Sequence, residues 1–428
     1  MTVISTPAEV AARGSITLRE VRARGRVRGA LGLLGPAFVA AVAYVDPGNF
    51  ATNFAGGASS GYELLWVIVM ANLMAVLIQY LTSKVGLATG RSLPELCRER
   101  YGTRVNVLLW LQAEVVAMAT DLAEFVGAAI GLNLVFGIPL LAAGLITAAV
   151  AFAILALQQR GYRRFELAVI ALLALVGLGF LYLFLAAGGQ DYRQAAGGLV
   201  PHLSGGTMSL TVAIVGATVM PHVVYLHSAL QKDRIKTAGK EERRTLLTWN
   251  RRDCFIGLGI AGLVNMAMLC IAAALFHRPG LTGTGELGPV YDRLGSLVGG
   301  GAALAFGIAL MASGLSSSSV GTYAGQVVMS GFMNWRIPLT ARRALTMLPS
   351  LLVLALAVNT TQALVYSQIV LSFGIPFAVI PLLLISRDRG TMTDMTNRRL
   401  TSTLMTATTA TIISLNLYLL YSAVAGVL

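Results

Sequence analysis

Long apolar runs alternate with short polar stretches along this chain. A helix needs about 20 apolar residues to cross the hydrocarbon of a bilayer. Runs of that kind predict eleven helices, at 31–56, 61–86, 104–133, 139–158, 165–188, 207–231, 253–277, 296–331, 343–359, 362–386 and 401–427. The eighth is long enough to contain a surface turn. GGASSG (Gly56–Gly61) reads as a tight outer turn, and GKEERRTLLTWNRRD (Gly239–Asp253) as an amphipathic linker resting on lipid headgroups. Two of the runs are interrupted near their centres. The first holds YVDPGNF (44–50), and the sixth holds MPH (220–222).

Composition agrees with the pattern. The 428 residues are 56% hydrophobic and 12% charged, about half the charged share of a soluble domain. Net charge is +13, and its location matters more than its sum. With a cytoplasmic N-terminus, all of the 32 Lys and Arg fall in inside segments except Arg193, Arg278 and Arg293. Positive loops favour the cytoplasmic side. The charge is therefore a topology signal, with anionic lipid as its partner, and nucleic acid is not implied. The C-terminus is expected outside. Six arginines precede Leu31, but the apolar run continues past Asp46 and many spans follow, which argues against a cleaved signal. Cys97, Cys254 and Cys270 are far apart and form no C-x-x-C pair, so free thiols are expected.

Four acids fall inside spans: Asp46, Glu114, Asp121 and Glu124; His222 and His227 lie in the sixth. An ionisable group at membrane depth marks a functional site by default. Pro221 follows Pro47 by 174 residues. Spans 1 to 5 each have a counterpart five spans later, so the breaks occupy matching places in two halves. Such pairs point to a transporter built from inverted repeats. Proline removes a backbone donor, and glycine tolerates the backbone where a helix stops. Donors at the breaks are the Asp46 carboxylate, the Asn49 amide, the Met220 thioether, the His222 imidazole and carbonyls near Ala43 and Ala217. Oxygen donors suit hard ions and thioether sulfur suits softer ones. The mixture fits a divalent transition metal such as Mn²⁺ or Fe²⁺. Asp46 serves naturally as a shared site, since a cation arriving at a buried carboxyl expels its proton. Asp121 and Glu124 share a face of span 3 with Glu114 near it, and Arg342 and Arg343 on span 9 are partners for them. His222 relays a proton or tunes Asp46; His227 reads as a gate or packing residue. The hydroxyls of GLSSSSVGTYAGQ (Gly314–Gln326) read mainly as a small face for close helix packing. The alternative for that stretch is a Na⁺ site.

DPGNF in span 1 together with MPH in span 6 resembles the Nramp family (natural resistance-associated macrophage proteins, which include proton-dependent manganese transporters of bacteria). The resemblance runs from about residue 30 to the end. It implies an all-α polytopic membrane protein with a LeuT-like fold: two inverted five-helix repeats plus one extra helix, with helices 1 and 6 broken. The corresponding domains are a basic cytoplasmic segment (1–30), the two repeats (31–188 and 207–386) and the extra helix (401–427). It also implies alternating access and import of Mn²⁺, Fe²⁺ and related ions with protons. Asp46, Asn49 and Met220 become metal ligands, joined by the Ala43 or Ala217 carbonyl according to state and by Gln368 when occluded. Pro47, Gly48 and Pro221 make the breaks. A span 3–span 9 proton network falls on Asp121, Glu124, Arg342 and Arg343. The expected protein is a monomer in a bacterial-type plasma membrane, without enzymatic activity or cofactor. The runner-up is a Na⁺-coupled amino-acid or other organic-solute transporter of the same fold, although Asp46 would repel a carboxylate substrate. A channel would keep a continuous pore. An intramembrane hydrolase would need a second acid beside Asp46 or an H-E-x-x-H helix, which the sequence lacks.

Overall fold

A computed structural model describes residues 16–23, 25–159, 162–202, 205–232, 234–236, 239–277, 285–335, 337–356 and 359–425. Most of the basic N-terminal segment, 1–15, lies outside them. The described chain is helical apart from a two-residue parallel pairing of Ile16–Thr17 with Ile235–Lys236.

The eleven predicted spans correspond to helices. Span 1 is two half-helices, Pro36–Ala43 and Pro47–Ser60. Spans 2 to 5 are Leu65–Thr89, Thr103–Phe136, Leu140–Gln159 and Tyr162–Ala187. Span 6 is again two pieces, Met208–Thr218 and Pro221–Gln231. Spans 7 to 11 are Lys240–Phe276, Gly300–Met333, Leu339–Ala355, Thr360–Arg387 and Arg399–Val424. Among the described residues, eight spans, the two pieces of span 6 counted together, are long and apolar enough to cross a membrane. The others are the divided first span, the fourth, whose described apolar part is Leu140–Ile154, and the ninth, which has 17 residues.

The turn expected in the eighth run is present: an outer helix Leu287–Leu297 and the span proper are separated at Gly299 (φ 125°). Two expectations need correction. Gly56–Ser60 is not a turn; the half-helix runs through Ser60 and stops at Gly61 (φ 59°). The 239–253 stretch is no separate linker, because its helix continues into span 7. Two further acids that the sequence reading did not single out, Glu166 and Asp253 at the starts of spans 5 and 7, are also buried. Asp253 accepts the Gly35 and Ala37 N–H groups at 3.0 and 2.9 Å. It thus caps the start of span 1 from span 7, where exposed amides favour an anion. Glu166 pairs with Arg163 at 2.5 Å and Arg234 at 3.5 Å.

Prolines inside span 10 show how the fold keeps backbone groups satisfied at depth. Pro376 cannot bond the carbonyl of Ser372, and Asn416 of span 11 donates to it at 3.1 Å. Pro381 likewise frees Phe377, whose carbonyl accepts the Tyr225 hydroxyl at 3.4 Å. Unpaired carbonyls in hydrocarbon cost several kcal/mol, so neighbouring helices supply the missing donors. Spans 3 and 8 pack most extensively of all. Gly314 makes this possible, since a Cβ there would lie 2.7 Å from Ala128 and from the Glu124 carbonyl.

Candidate functional site

Helix arithmetic locates the first donors. In an α-helix the N–H of residue i+4 bonds the carbonyl of residue i. Position i+4 is Pro47 for Ala43 and Pro221 for Ala217. Each proline therefore withdraws the donor from one of the two carbonyls. The neighbouring carbonyls are occupied: Asn265 donates to Tyr44 at 2.8 Å and Ser313 to Val45 at 2.5 Å. Asn265 and Ser313 were not anticipated as site residues; an asparagine in the apolar span 7 was the signal for the first.

Asp46 caps the outer half-helix of span 1. Its Oδ1 accepts the Asn49 backbone N–H at 2.8 Å and the Asn49 Nδ2 at 2.7 Å. Asn49 Nδ2 also donates to the Ala217 carbonyl at 3.0 Å, which joins the two breaks directly. Met220 caps the second half of span 6 and is fully buried, as are Asp46 and Gln368. The Gln368 amide lies against the break: a Cβ on Gly48 would overlap it. Asp46 Oδ2, Gln368 Oε1 and His222 Nε2 have no hydrogen-bond partner within the protein. Burying such an atom unpaired costs about 1–3 kcal/mol. The Asp46 and Gln368 oxygens at breaks with two proline-freed carbonyls make a place suited to a cation and its water. Among the described residues no three His, Cys, Asp or Glu side chains cluster as a metal site. The donor set here is a single carboxylate with amide, thioether and backbone groups.

The ionisable chain extends from this point. Glu124 is fully buried with the Ser317 hydroxyl beside its carboxyl, and Asp121, Asp46 and Arg343 are its charged neighbours. Asp121 faces Arg343, Arg342 and Thr346. Arg342 Nη2 meets Glu114 Oε2 at 2.8 Å. Arg343, besides facing these acids, donates to the Ser318 carbonyl at 2.9 Å and hydroxyl at 2.5 Å, and lies over the Phe152 ring. Span 8 accommodates these charges through glycines. A Cβ on Gly321 would press on the Glu124 carboxyl, and one on Gly325 on the Arg342 guanidinium. The small-residue stretch thus makes room for side chains as well as for a helix. Three of its hydroxyls are turned to span 8's own carbonyls: Ser316 to Ala312, Ser319 to Leu315 and Thr322 to Ser318.

His222 shares a hydrogen bond with Thr120 at 3.2 Å through Nδ1. His227 bonds Gln79 at 2.9 Å, and Gln79 donates to the Tyr44 hydroxyl at 2.7 Å. His227 therefore ties spans 6 and 2 to the break in span 1, a link the spacing alone did not suggest. His277 bonds the Ala58 carbonyl at the end of that span's outer half.

Comparison with known proteins is consistent with this geometry. The family description "natural resistance-associated macrophage protein-like" (Nramp) matches residues 37–422. The divalent metal cation transporter MntH of Deinococcus radiodurans is 48% identical over 416 residues, 97% of this chain and 95% of its own length. That of Bacillus subtilis is 46% identical over 400 residues, 92% and 94% of the two chains. A crystal structure of the Eremococcus coleocola manganese transporter, in complex with an aromatic bis-isothiourea substituted compound, superposes with a TM-score of 0.86. It is 29% identical and covers 98% of this chain and 92% of that one. The nucleobase-cation-symport-1 transporter Mhp1 shares the fold at a TM-score of 0.60 and 16% identity, over 97% and 94% of the two chains.

Proposed function

We infer that this chain, which belongs to the natural resistance-associated macrophage protein family, is a multi-pass membrane transporter of divalent metal cations that imports Mn²⁺ and Fe²⁺ together with protons. The observation that carries the reading is the bond from Asn49 to the Ala217 carbonyl. It brings the carboxylate and amide of one broken span to the proline-freed carbonyl of the other. Metal binds to Asp46, Asn49, Met220 and the carbonyls of Ala43 or Ala217 as the halves rock, with Gln368 closing on it. In this reading 31–188 and 207–386 are the two moving repeats, 401–427 is the added helix, and the protein acts as a monomer in the plasma membrane with its N-terminus inside.

Protons enter the same scheme through Asp46 and leave along Glu124, Asp121, Arg343, Arg342 and Glu114. Na⁺ coupling is disfavoured by the span 8 hydroxyls. Several are turned to their own helix, and Ser313 donates to the Val45 carbonyl. The test is uptake into proteoliposomes under an imposed pH gradient, with Mn²⁺, Fe²⁺, Ca²⁺ and Mg²⁺ in competition, repeated with Na⁺ replaced. Uptake that ignores the pH gradient and fails without Na⁺ would overturn the proton reading. Amino-acid uptake in place of metal would overturn the substrate.

A further inference from the structure

We propose that Trp110 is a positioning residue for the inner end of the proton route, holding Glu114 in line with Arg342; this rests on the proton-coupled reading above. Glu114 is the last acid of the ionisable chain that starts at Asp46. Trp110 Nε1 donates to its Oε1 at 3.2 Å, and Arg342 Nη2 donates to its Oε2 at 2.8 Å. Each carboxylate oxygen is therefore held from a different helix. The indole stands one turn before Glu114, a spacing at which helix side chains meet. Trp335, just past the end of span 8, packs edge-on against the Trp110 ring, with centroids 5.6 Å apart and planes at 69°.

Burial changes sharply across this pair. The Arg342 and Glu114 side chains are 7% and 15% exposed, whereas Trp335 is 50% exposed. Two aromatic rings thus stand at the exposed end of the charged chain. Tryptophan combines a large apolar body with a single N–H donor. It can fix a carboxylate while keeping water from that side, and a hydrogen bond strengthens in such a shielded place. Proton release then requires the Glu114–Arg342 pair to open, in place of continuous exchange with bulk water.

The charged groups around Glu114 are few. Arg342 touches it, Arg343 is adjacent on span 9, and Asp121 lies two turns along span 3. Spans 4 and 8, which pack on span 3, carry no Asp, Glu, Lys or Arg, and span 10 has Arg387 alone, in its last turn. Span 6 offers His222, which bonds Thr120, and His227, which bonds Gln79. The short helix Leu93–Arg100 is engaged elsewhere: Glu95 with Lys232, Arg98 with the Ser330 carbonyl, Glu99 with Arg91 and Arg100 with Asp388. The outer helix Leu287–Leu297 brings Asp292 and Arg293 to the opposite end of span 3.

The test uses the full chain in proteoliposomes with an internal pH dye and Mn²⁺ as the probe. Trp110→Phe keeps the ring and removes the donor. Its Mn²⁺ KM should stay at the wild-type value. Mn²⁺-evoked proton entry should fall at least about tenfold, the factor that accompanies loss of one hydrogen bond to a charged group. The pH profile of that entry should shift, and Trp110→Gln, which restores a donor without the ring, should recover part of it. Trp335→Leu leaves the hydrogen bond and removes the cover, and should raise proton entry in the absence of Mn²⁺. A wild-type proton ratio and pH profile in Trp110→Phe overturns the proposal. Proportional loss of Mn²⁺ and proton entry also overturns it, because that is the mark of a general packing defect. Wild-type protein without any Mn²⁺-evoked proton entry would instead remove the proton-coupled reading itself.

Discussion

Replacing Asn49 by alanine tests the join between the two broken spans. The side chain is buried and uses one amide nitrogen twice, to Asp46 Oδ1 at 2.7 Å and to the Ala217 carbonyl at 3.0 Å. A hydrogen bond to a charged group contributes about 1.5–3 kcal/mol and a neutral one about 0.5–1.5. The substitution removes both, roughly 2–4.5 kcal/mol in all, of which about 0.5–1.5 is the join to span 6 and the rest orients Asp46 within its own half-helix. At 1.4 kcal/mol per factor of ten, that is roughly 30- to 1,600-fold on an equilibrium that needs both an oriented Asp46 and the joined breaks. Asp46 remains capped by the Asn49 backbone N–H at 2.8 Å, so the helix start persists. The expected result in a liposome uptake assay is a Mn²⁺ KM raised at least about tenfold at unchanged protein yield. A KM within about threefold of wild type, under ~0.7 kcal/mol, would refute the reasoning: the bridge would then be incidental to metal capture.

Other substitutions probe separate parts of the site. Met220→Ala should retain some Mn²⁺ transport and begin to admit Ca²⁺, since only hard donors remain; Ca²⁺ flux staying at background would contradict the role given to the sulfur. Gly48→Ala should impair uptake by pushing the Gln368 amide aside. Combined with Gln368→Ala it should be no worse than Gln368→Ala alone, because residues in contact are not additive; independent losses would place Gln368 elsewhere. Outside the membrane, burial pushes the Glu95 carboxyl up, but the hydrogen bonds from Lys232 and from the Ser92 N–H outweigh it and hold it below its usual 4.5. A lowered folded value gives stability that is complete above about pH 4.5 and fades as pH falls through the folded value. Wild type should therefore unfold at a higher temperature than Glu95→Gln at neutral pH, and the gap should narrow below pH 4.5 in thermal scans; a constant gap would show that the ion pair is not its source.

The sequence revealed the spans and both breaks because their signals are local. A run of apolar residues and a central proline need no knowledge of distant contacts. The same holds for Asp46, Asn49 and Met220, which sit at or next to those prolines. Residues that act through partners far along the chain were less visible. Asp253 lies at a span edge like any loop acid, and only the packed structure shows it holding Gly35 and Ala37. Ser313 is one hydroxyl among many in span 8, yet it is the one that reaches Val45. Gly321 and Gly325 looked like helix-packing glycines; what they accommodate is set by side chains from spans 3 and 9. Arg343 was paired with acids because charge attracts charge; the Ser318 carbonyl and hydroxyl that also hold it could be seen only in the packed structure.

The position of each proline four residues after an alanine has a consequence for how such a protein can change over generations. The oxygens at Ala43 and Ala217 belong to the main chain, so no exchange of either alanine's side chain deletes them. Moving a proline by one residue would turn the liberated oxygen by about 100° around the helix, away from its counterpart. With the ligands proposed above, ion preference can therefore drift only through Asp46, Asn49, Met220 and their neighbours, while the scaffold beneath them is inherited all or nothing.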